Sequence, residues 1–384
     1  MIHRPVRACI CAVSMAVLVL SSTALQAADA SGFIPLFNGK DLTGWRPTGK
    51  AAAWSVHGGM IECNGEGGGW LLTEKQYEDY VLKLQYKVSP GCNSGVAIRC
   101  KPRKPGFSGM ELQILDDFGG APSIHSCMAV YSSIAPTKNM NRPAGRWNDV
   151  EVTCRGRRLR VVWNGEVVHD VDLDTHRELT DRVPCGHIGV QDHGNYVWFR
   201  NIAIRPLDAE DGWQPLLGSD IKAWKQIGQG KWDYAYGVLT ATGKLGVLKS
   251  PASYKDFALK LQSRVSKGGN GGLFLRLPPG SSLEPKPWEA GYEIQMQDDY
   301  GKPPSNVSTG SVILIAAPKA NLVRKPDVWN DYEITCRGET ITVKMNGQLV
   351  TEARSKRSLA GHIGFESEVN RIQYRHAKIK PLKN

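Results

Sequence analysis

The chain has 384 residues and a formal net charge of +11, with 41% apolar and 22% charged residues. That balance excludes a disordered or fibrous chain and leaves room for two domains of ordinary size, each with its own core. The basic residues are dispersed, densest over Lys101–Lys104 and Arg155–Arg160. They are not gathered with aromatics on one stripe, which speaks against a nucleic-acid partner. The charge fits a solvated surface and leaves an anionic glycan or lipid surface as a remaining partner class.

Residues 1–30 read as a secretory signal peptide. His3, Arg4 and Arg7 make a basic start, Ala8–Leu20 is an apolar run too short to span a bilayer, and small residues follow. An uncleaved anchor is the alternative, and no other segment is apolar enough to cross a membrane. A secreted or periplasmic location is therefore expected. Export permits disulfides. Seven cysteines lie beyond the signal. Cys154 and Cys336 occupy matching strand positions and read as buried thiols. Cys63, Cys92, Cys100, Cys127 and Cys185 allow one or two bridges.

From residue 33 onward the chain is written twice. Phe33–Pro47, F-I-P-L-F-N-G-K-D-L-T-G-W-R-P, is echoed by Trp213–Trp224. Tyr80–Val88, Y-V-L-K-L-Q-Y-K-V, returns as Phe257–Val265, F-A-L-K-L-Q-S-R-V. Ser89–Arg99, S-P-G-C-N-S-G-V-A-I-R, returns as Ser266–Arg276, S-K-G-G-N-G-G-L-F-L-R. Gly109–Asp117, G-M-E-L-Q-I-L-D-D, returns 182 residues later as Gly291–Asp299, G-Y-E-I-Q-M-Q-D-D. Trp147–Gly165 matches Trp329–Gly347, and each ends in Asn-Gly, the preferred residues of a type I′ hairpin turn. Gly186–Leu207 and Gly361–Leu382 close the two copies.

In Gly109–Asp117, Met110, Leu112 and Ile114 share one face, and Glu111 and Gln113 the other. A period of two is a half-buried strand. Each copy alternates in this way between frequent turn signals, with almost no helical periodicity. The expected fold is all-β: two tandem two-sheet β-sandwiches, residues 31–207 and 208–384, joined by a linker over Asp208–Gly212.

L-F-N-G-K-D-L-T-G-W, N-S-G-V-A-I-R, G-M-E-L-Q-I-L-D, R-W-N-D-V-E-V-T-C-R-G and G-H-I-G-V-Q-D-H-G, in that order, resemble the 3-keto-disaccharide hydrolase family. The resemblance spans nearly all of residues 33–207 and is looser in the second copy. It implies concanavalin-like jelly-roll sandwiches in an exported bacterial protein that acts on sugars oxidised at C3.

In such a sugar the ketone acidifies the hydrogen on C2. Its removal gives an enolate, the aglycone oxygen on C1 leaves by β-elimination, and addition of water completes a net hydrolysis. The reaction needs a base, a cation or donor for the enolate, and an acid for the leaving group. His193, which titrates near neutrality, and Glu111 are the base candidates. Arg99 and Arg200 are candidates for the enolate or sugar hydroxyls, and Gln113, Gln191, Asn93 and Tyr131 for hydroxyls. Asp116 and Asp117 suit turn capping before Phe-Gly-Gly, with substrate contact by Asp116 as the alternative. Arg99 and Arg276 end matching strands, which fits a structural pair equally well. His187 and His362 match in both copies and read as structural.

An ordinary two-carboxylate glycosidase holds its carboxyls roughly 5–9.5 Å apart. Glu111 and Asp116 stand about 17 Å apart along an extended strand. No cofactor motif is evident, and a divalent ion at Asp116, Asp117 or His193 is an open alternative. The second copy has Glu366 for Gln191 and Glu368 for His193, and lacks the tyrosine. The site is therefore expected in the first copy alone, with Glu111, Gln113, Arg99, Gln191 and His193 on one concave face. The competing readings are a lectin-like glycan-binding module and a structural surface protein.

Overall fold

The computed structural model describes residues 31–207, 212–283 and 287–383. The expected signal peptide and most of the expected linker lie outside these residues. Among the described residues, no helix is long and apolar enough to cross a membrane.

The first copy is a sandwich of two antiparallel sheets. The back sheet runs Glu166–Asp172, Arg158–Trp163, Asn148–Arg155, Tyr80–Val88, Val197–Pro206, Met60–Cys63, Trp54–His57, with Ile34–Pro35 on the edge of Val197–Pro206. The front sheet runs Trp45–Pro47, Gly69–Thr73, His187–Asp192, Asn93–Cys100, Met110–Leu115. Strand alternation builds the core between them. Leu71, Val96, Leu112, Ile114 and Val190 from the front meet Leu82, Leu84, Val152, Trp163 and Phe199 from the back. Each such side chain contributes about 1.5–3 kcal/mol by leaving water. Met110, Leu112 and Ile114 lie in this core, as their shared face in the sequence requires.

The second copy has a core of its own, drawn from residues between Leu216 and Ile379. Its two layers are hydrogen-bonded into one 11-stranded sheet, because the 17-residue strand Val238–Tyr254 pairs with both layers. In the first copy the same path is two strands, Met60–Cys63 and Gly69–Thr73. Between them lies N-G-E-G-G, where Gly65 and Gly68 hold φ of 78° and 61° and turn the chain out of the strand.

Both Asn-Gly pairs make the expected two-residue turns. Trp163 pairs with Glu166 across Asn164 and Gly165, at φ 50° and 90°; Met345 pairs with Gln348 in the same way.

The copies meet along a polar seam. Arg375 donates to the Thr180 carbonyl at 2.8 Å, Gln262 to Asp174 at 3.0 Å, and Arg264 to Asp181 at 2.6 Å. Lys378 pairs with the buried Asp79 of the first copy.

None of the seven described cysteines is joined in a disulfide, so the bridges allowed by the cysteine count are not formed. Cys154 and Cys336 are buried thiols, as expected. Burial pushes the Cys63, Cys92, Cys100 and Cys127 thiols up to about 12, which keeps them protonated and inert.

Candidate functional site

The site is built on the outer face of the front sheet. Register fixes which side chains share that face. Leu72 pairs with Gly189, Gly189 with Ala97, and Ala97 with Glu111. One step along, Trp70 pairs with Gln191 and Gly95 with Gln113. The middle of the face thus carries Gly95, Ala97 and Gly189, which have almost no side chain. Larger groups stand at the sides. Trp70 packs with Leu72 and Ala97 on this face, and a cleft lined by Trp70, Lys104, Pro105, Gly106, Phe107, Glu111 and Gln191 opens beside them. The helical turn Pro105–Ser108 forms one wall and Trp70 the other.

Glu111 is 5% exposed, and among the described residues its carboxylate has no hydrogen-bond or ion-pair partner. A Cβ on Gly95 would stand 2.3 Å from its Oε1, and one on Gly106 would stand 2.3 Å from its Oε2. Two glycines therefore hold the space that the carboxylate fills. Burial alone pushes its pKa up to about 7, with no cation to offset it. Beside it, Gln113 donates to Asn93 Oδ1 at 3.1 Å, and Gln191 Oε1 is buried without a partner among the described residues. A lone titrating carboxylate and an orphaned amide oxygen facing one cleft are groups placed for a ligand.

The other sequence candidates are distributed differently. Arg99 is fully buried away from the cleft. Its guanidinium donates to the Glu78 carbonyl at 2.6 Å, the Gly156 carbonyl at 2.7 Å and Asp79 Oδ1 at 3.0 Å. The strand register shifts at this point, and Arg99 takes φ of 50°, which turns it off the face shared by Gly95 and Ala97. Arg276 repeats the arrangement against Asp256 at 3.0 Å. Arg99 is thus a structural latch. Arg99→Met is expected to destabilise by roughly 3–5 kcal/mol, because the buried Asp79 would keep only the Gly156 amide and one of its two ion-pair partners, Lys378. Denaturant unfolding checks this, and a stable but inactive variant would contradict it.

Arg200 lies on the back sheet, where it donates to Gln85 at 2.7 Å and stacks on Trp147 at 4.0 Å. Asp116 accepts from the Gly91 amide at 2.9 Å, and Asp117 accepts from the Cys127 amide at 2.7 Å, so both organise turns. Among the described residues, no group of three or more His, Cys, Asp or Glu is arranged to hold a metal ion. His193 is exposed in the turn beyond His187–Asp192 and does not line the cleft. Tyr131 stands at the cleft wall. Its amide donates to the Glu111 carbonyl at 2.9 Å, and its ring meets Phe107 edge-on at 6.2 Å and His125 at 5.3 Å. Tyr131 and His125 become Ile313 and Val307 in the second copy, so the pair marks a surface that copy does not keep.

The second copy fills the middle of this face differently. Phe274 pairs with Glu293 and Gly364, as Ala97 pairs with Glu111 and Gly189. The Phe274 ring is fully buried with Val247 and Leu277, where the first copy packs Ala97 with Trp70, Leu72 and Cys100, so Phe274 and Val247 exchange bulk with Ala97 and Trp70. Glu293 and Glu366 face each other across Gly272, and burial raises both pKa values, Glu293 to about 8. The sequence analysis missed Trp70, Lys104 and Phe107. The paired exchange of Trp70 and Ala97 for Val247 and Phe274 was the signal that could have found the first of them.

A family model for the 3-keto-alpha-glucoside-1,2-lyase-like domain matches the chain over residues 32–205 and again over 212–380. The chain belongs to this family. A 3-keto-disaccharide hydrolase of Bacteroides thetaiotaomicron is 28% identical over 240 residues, 47% of this chain and 80% of that protein. A solved chain of a proposed glycosyl hydrolase from Parabacteroides distasonis is 26% identical with a TM-score of 0.42, covering 47% of this chain and 95% of that one. A second solved chain from that organism is 27% identical with a TM-score of 0.42, covering 46% and 99%.

Proposed function

We propose that the protein is an exported carbohydrate-active enzyme that cleaves 3-keto-glycosides, with its reaction centre in the first-copy cleft. Family membership supports action on a carbohydrate. The observation that carries the finer reading is Glu111, a buried carboxylate with no partner among the described residues and a pKa pushed up to about 7 by burial. Such a group is a poor structural element and a well-matched general base.

Glu111 takes the proton from C2 of the sugar. The C–H electron pair moves into the C2–C3 bond, and the ketone oxygen becomes an enolate oxygen. Lys104, whose ammonium has no ion-pair partner among the described residues, supplies a cation on the cleft wall for that oxygen. The enolate collapses to a C1–C2 double bond as the C1–O bond breaks, and the departing oxygen takes a proton from water at the open mouth. The Glu111 carboxyl exchanges its proton with water at the open mouth; water then adds at C1, and C2 takes a proton from Glu111. Gln191 and Gln113 hold hydroxyls. Geometry favours Glu111 over His193 as the base, since His193 stands outside the cleft. The test is to incubate the protein with 3-keto-trehalose, 3-keto-sucrose and methyl 3-keto-glucoside beside the unoxidised parents. Cleavage of the keto sugars alone is expected; cleavage of the parents at a similar rate would sink the reading.

A further inference from the structure

The sequence assigns the site to the first copy alone, yet the second copy reaches onto the same sheet face. Strands Lys225–Ala235 and Val238–Tyr254 pair up to Ala235 and Val238, so Tyr236 and Gly237 form a two-residue hairpin tip, at φ 53° and 75°. That tip lies on the first copy. The Cys185 amide donates to the Tyr236 carbonyl at 3.3 Å. A Cβ on Gly237 would stand 2.9 Å from Pro184 Cγ and 3.0 Å from Cys185 Cβ, so the backbone itself is seated there.

The Tyr236 ring meets His187 edge-on at 6.4 Å, and Lys101 Nζ stands over the ring at 5.1 Å. Both neighbours belong to the cleft's surroundings. His187 shares the outer face with Gly189 and Gln191, and its Nε2 lies 3.4 Å from Arg46 Nη2. The Lys101 amide donates to Ser108 Oγ at 2.8 Å, in the turn that forms the cleft wall. From Gln191 to His187 is four strand steps, roughly 13 Å. Leu72 and Ala97 along that strip are covered by packing with Trp70, so a ligand of this length runs over that layer; the length suits a disaccharide rather than a single ring, and Tyr236 stands at its far end. Its hydroxyl has no hydrogen-bond partner among the described residues, and neither the Lys101 nor the Arg46 side chain is in an ion pair there. The matching tip of the first copy is Gly58-Gly59, with no side chain to offer. A tyrosine is present only at the tip that lands on the other copy, beside His187 and Lys101.

We propose that Tyr236, with Lys101 and Arg46, forms a second subsite that takes the aglycone of the substrate, a neutral sugar ring or an aromatic ring. The ring face of Tyr236 stacks on the aglycone, and the two cationic donors hold its hydroxyls. This rests on the proposed function, because it takes the Glu111 cleft as the place of the oxidised sugar.

The test uses the full chain with Glu111→Gln, so that ligands bind without turnover. Calorimetry compares 3-keto-trehalose with methyl 3-keto-glucoside, with and without Tyr236→Ala. The substitution should weaken disaccharide binding about ten-fold, roughly 1.4 kcal/mol, and should weaken the methyl glycoside far less. Tyr236→Phe should restore most of the difference, because the ring makes the stack, and an unchanged thermal unfolding midpoint for Tyr236→Ala separates this from a loss of domain docking. Equal weakening of both ligands, or of neither, overturns the subsite. If the ten-fold difference stands while the unmutated protein cleaves no keto sugar, the reaction is wrong and the subsite survives. If neither ligand binds at all, both fall.

Discussion

Glu111→Gln is expected to lower kcat on a 3-keto-glycoside by roughly 10²–10⁴, the scale of general acid–base catalysis. The same substitution should stabilise the protein above neutral pH. The folded pKa, about 7, lies above the ordinary value of 4.5, so the folded state holds a proton that the unfolded state releases. Stability is therefore highest below about pH 4.5 as far as this group is concerned, and falls as pH rises toward 7. Above that, the buried charge costs on the order of 3 kcal/mol, and a neutral glutamine removes the cost. Activity runs the opposite way, rising with pH through about 7 as the base ionises. A variant that is both dead and more heat-resistant at pH 8 is the signature of a side chain kept for chemistry. A variant that is active, or less stable at pH 8, contradicts the role.

Ala97→Phe should abolish binding and turnover while leaving the fold intact. The second copy is the precedent for a ring here, since it carries Phe274 at this position with Val247 in place of Trp70. In the first copy Ala97 is fully buried with Trp70 and Leu72, so the ring would push Trp70, one wall of the cleft, into the sugar's place. The loss should exceed 10², since the sugar's place would be occupied. Titration calorimetry with methyl 3-keto-glucoside and far-ultraviolet circular dichroism separate the two readouts. A folded Ala97→Phe protein that still turns over would move the site away from this cleft.

The fold was legible because strand alternation and turn chemistry are local. Met110, Leu112 and Ile114 declared the core face, and Glu111 and Gln113 the outer one. Asn164-Gly165 declared its turn. What was not legible depends on backbone departures and on neighbours far away in the chain. Arg99 has the spacing of Gly95 and Ala97, but the register shift beside it sends its guanidinium to Asp79. His193 continues the parity of Gln191, but the strand ends at Asp192. Arg200 is one of the polar residues of its copy but belongs to the other sheet. In each case residue type suggested chemistry and position decided against it. The cleft itself was hidden because its walls are apolar and its carboxylate needs missing side chains. The sequence analysis weighed polar residues and passed over Trp70 and Phe107, which wall the cleft, and Gly95 and Gly106, which leave room for the Glu111 carboxylate. The contribution of Tyr236 was out of reach, since nothing local says where a hairpin tip will land.

The most direct test of C2 proton abstraction is turnover of 3-keto-trehalose in D₂O, followed by NMR of the released 3-keto-glucose. Elimination followed by hydration predicts one solvent deuterium at C2 in the product, gained at the rate of cleavage and lost from the Glu111→Gln reaction. A product that retains its original hydrogen at C2 while the glycosidic bond is cleaved would contradict the account.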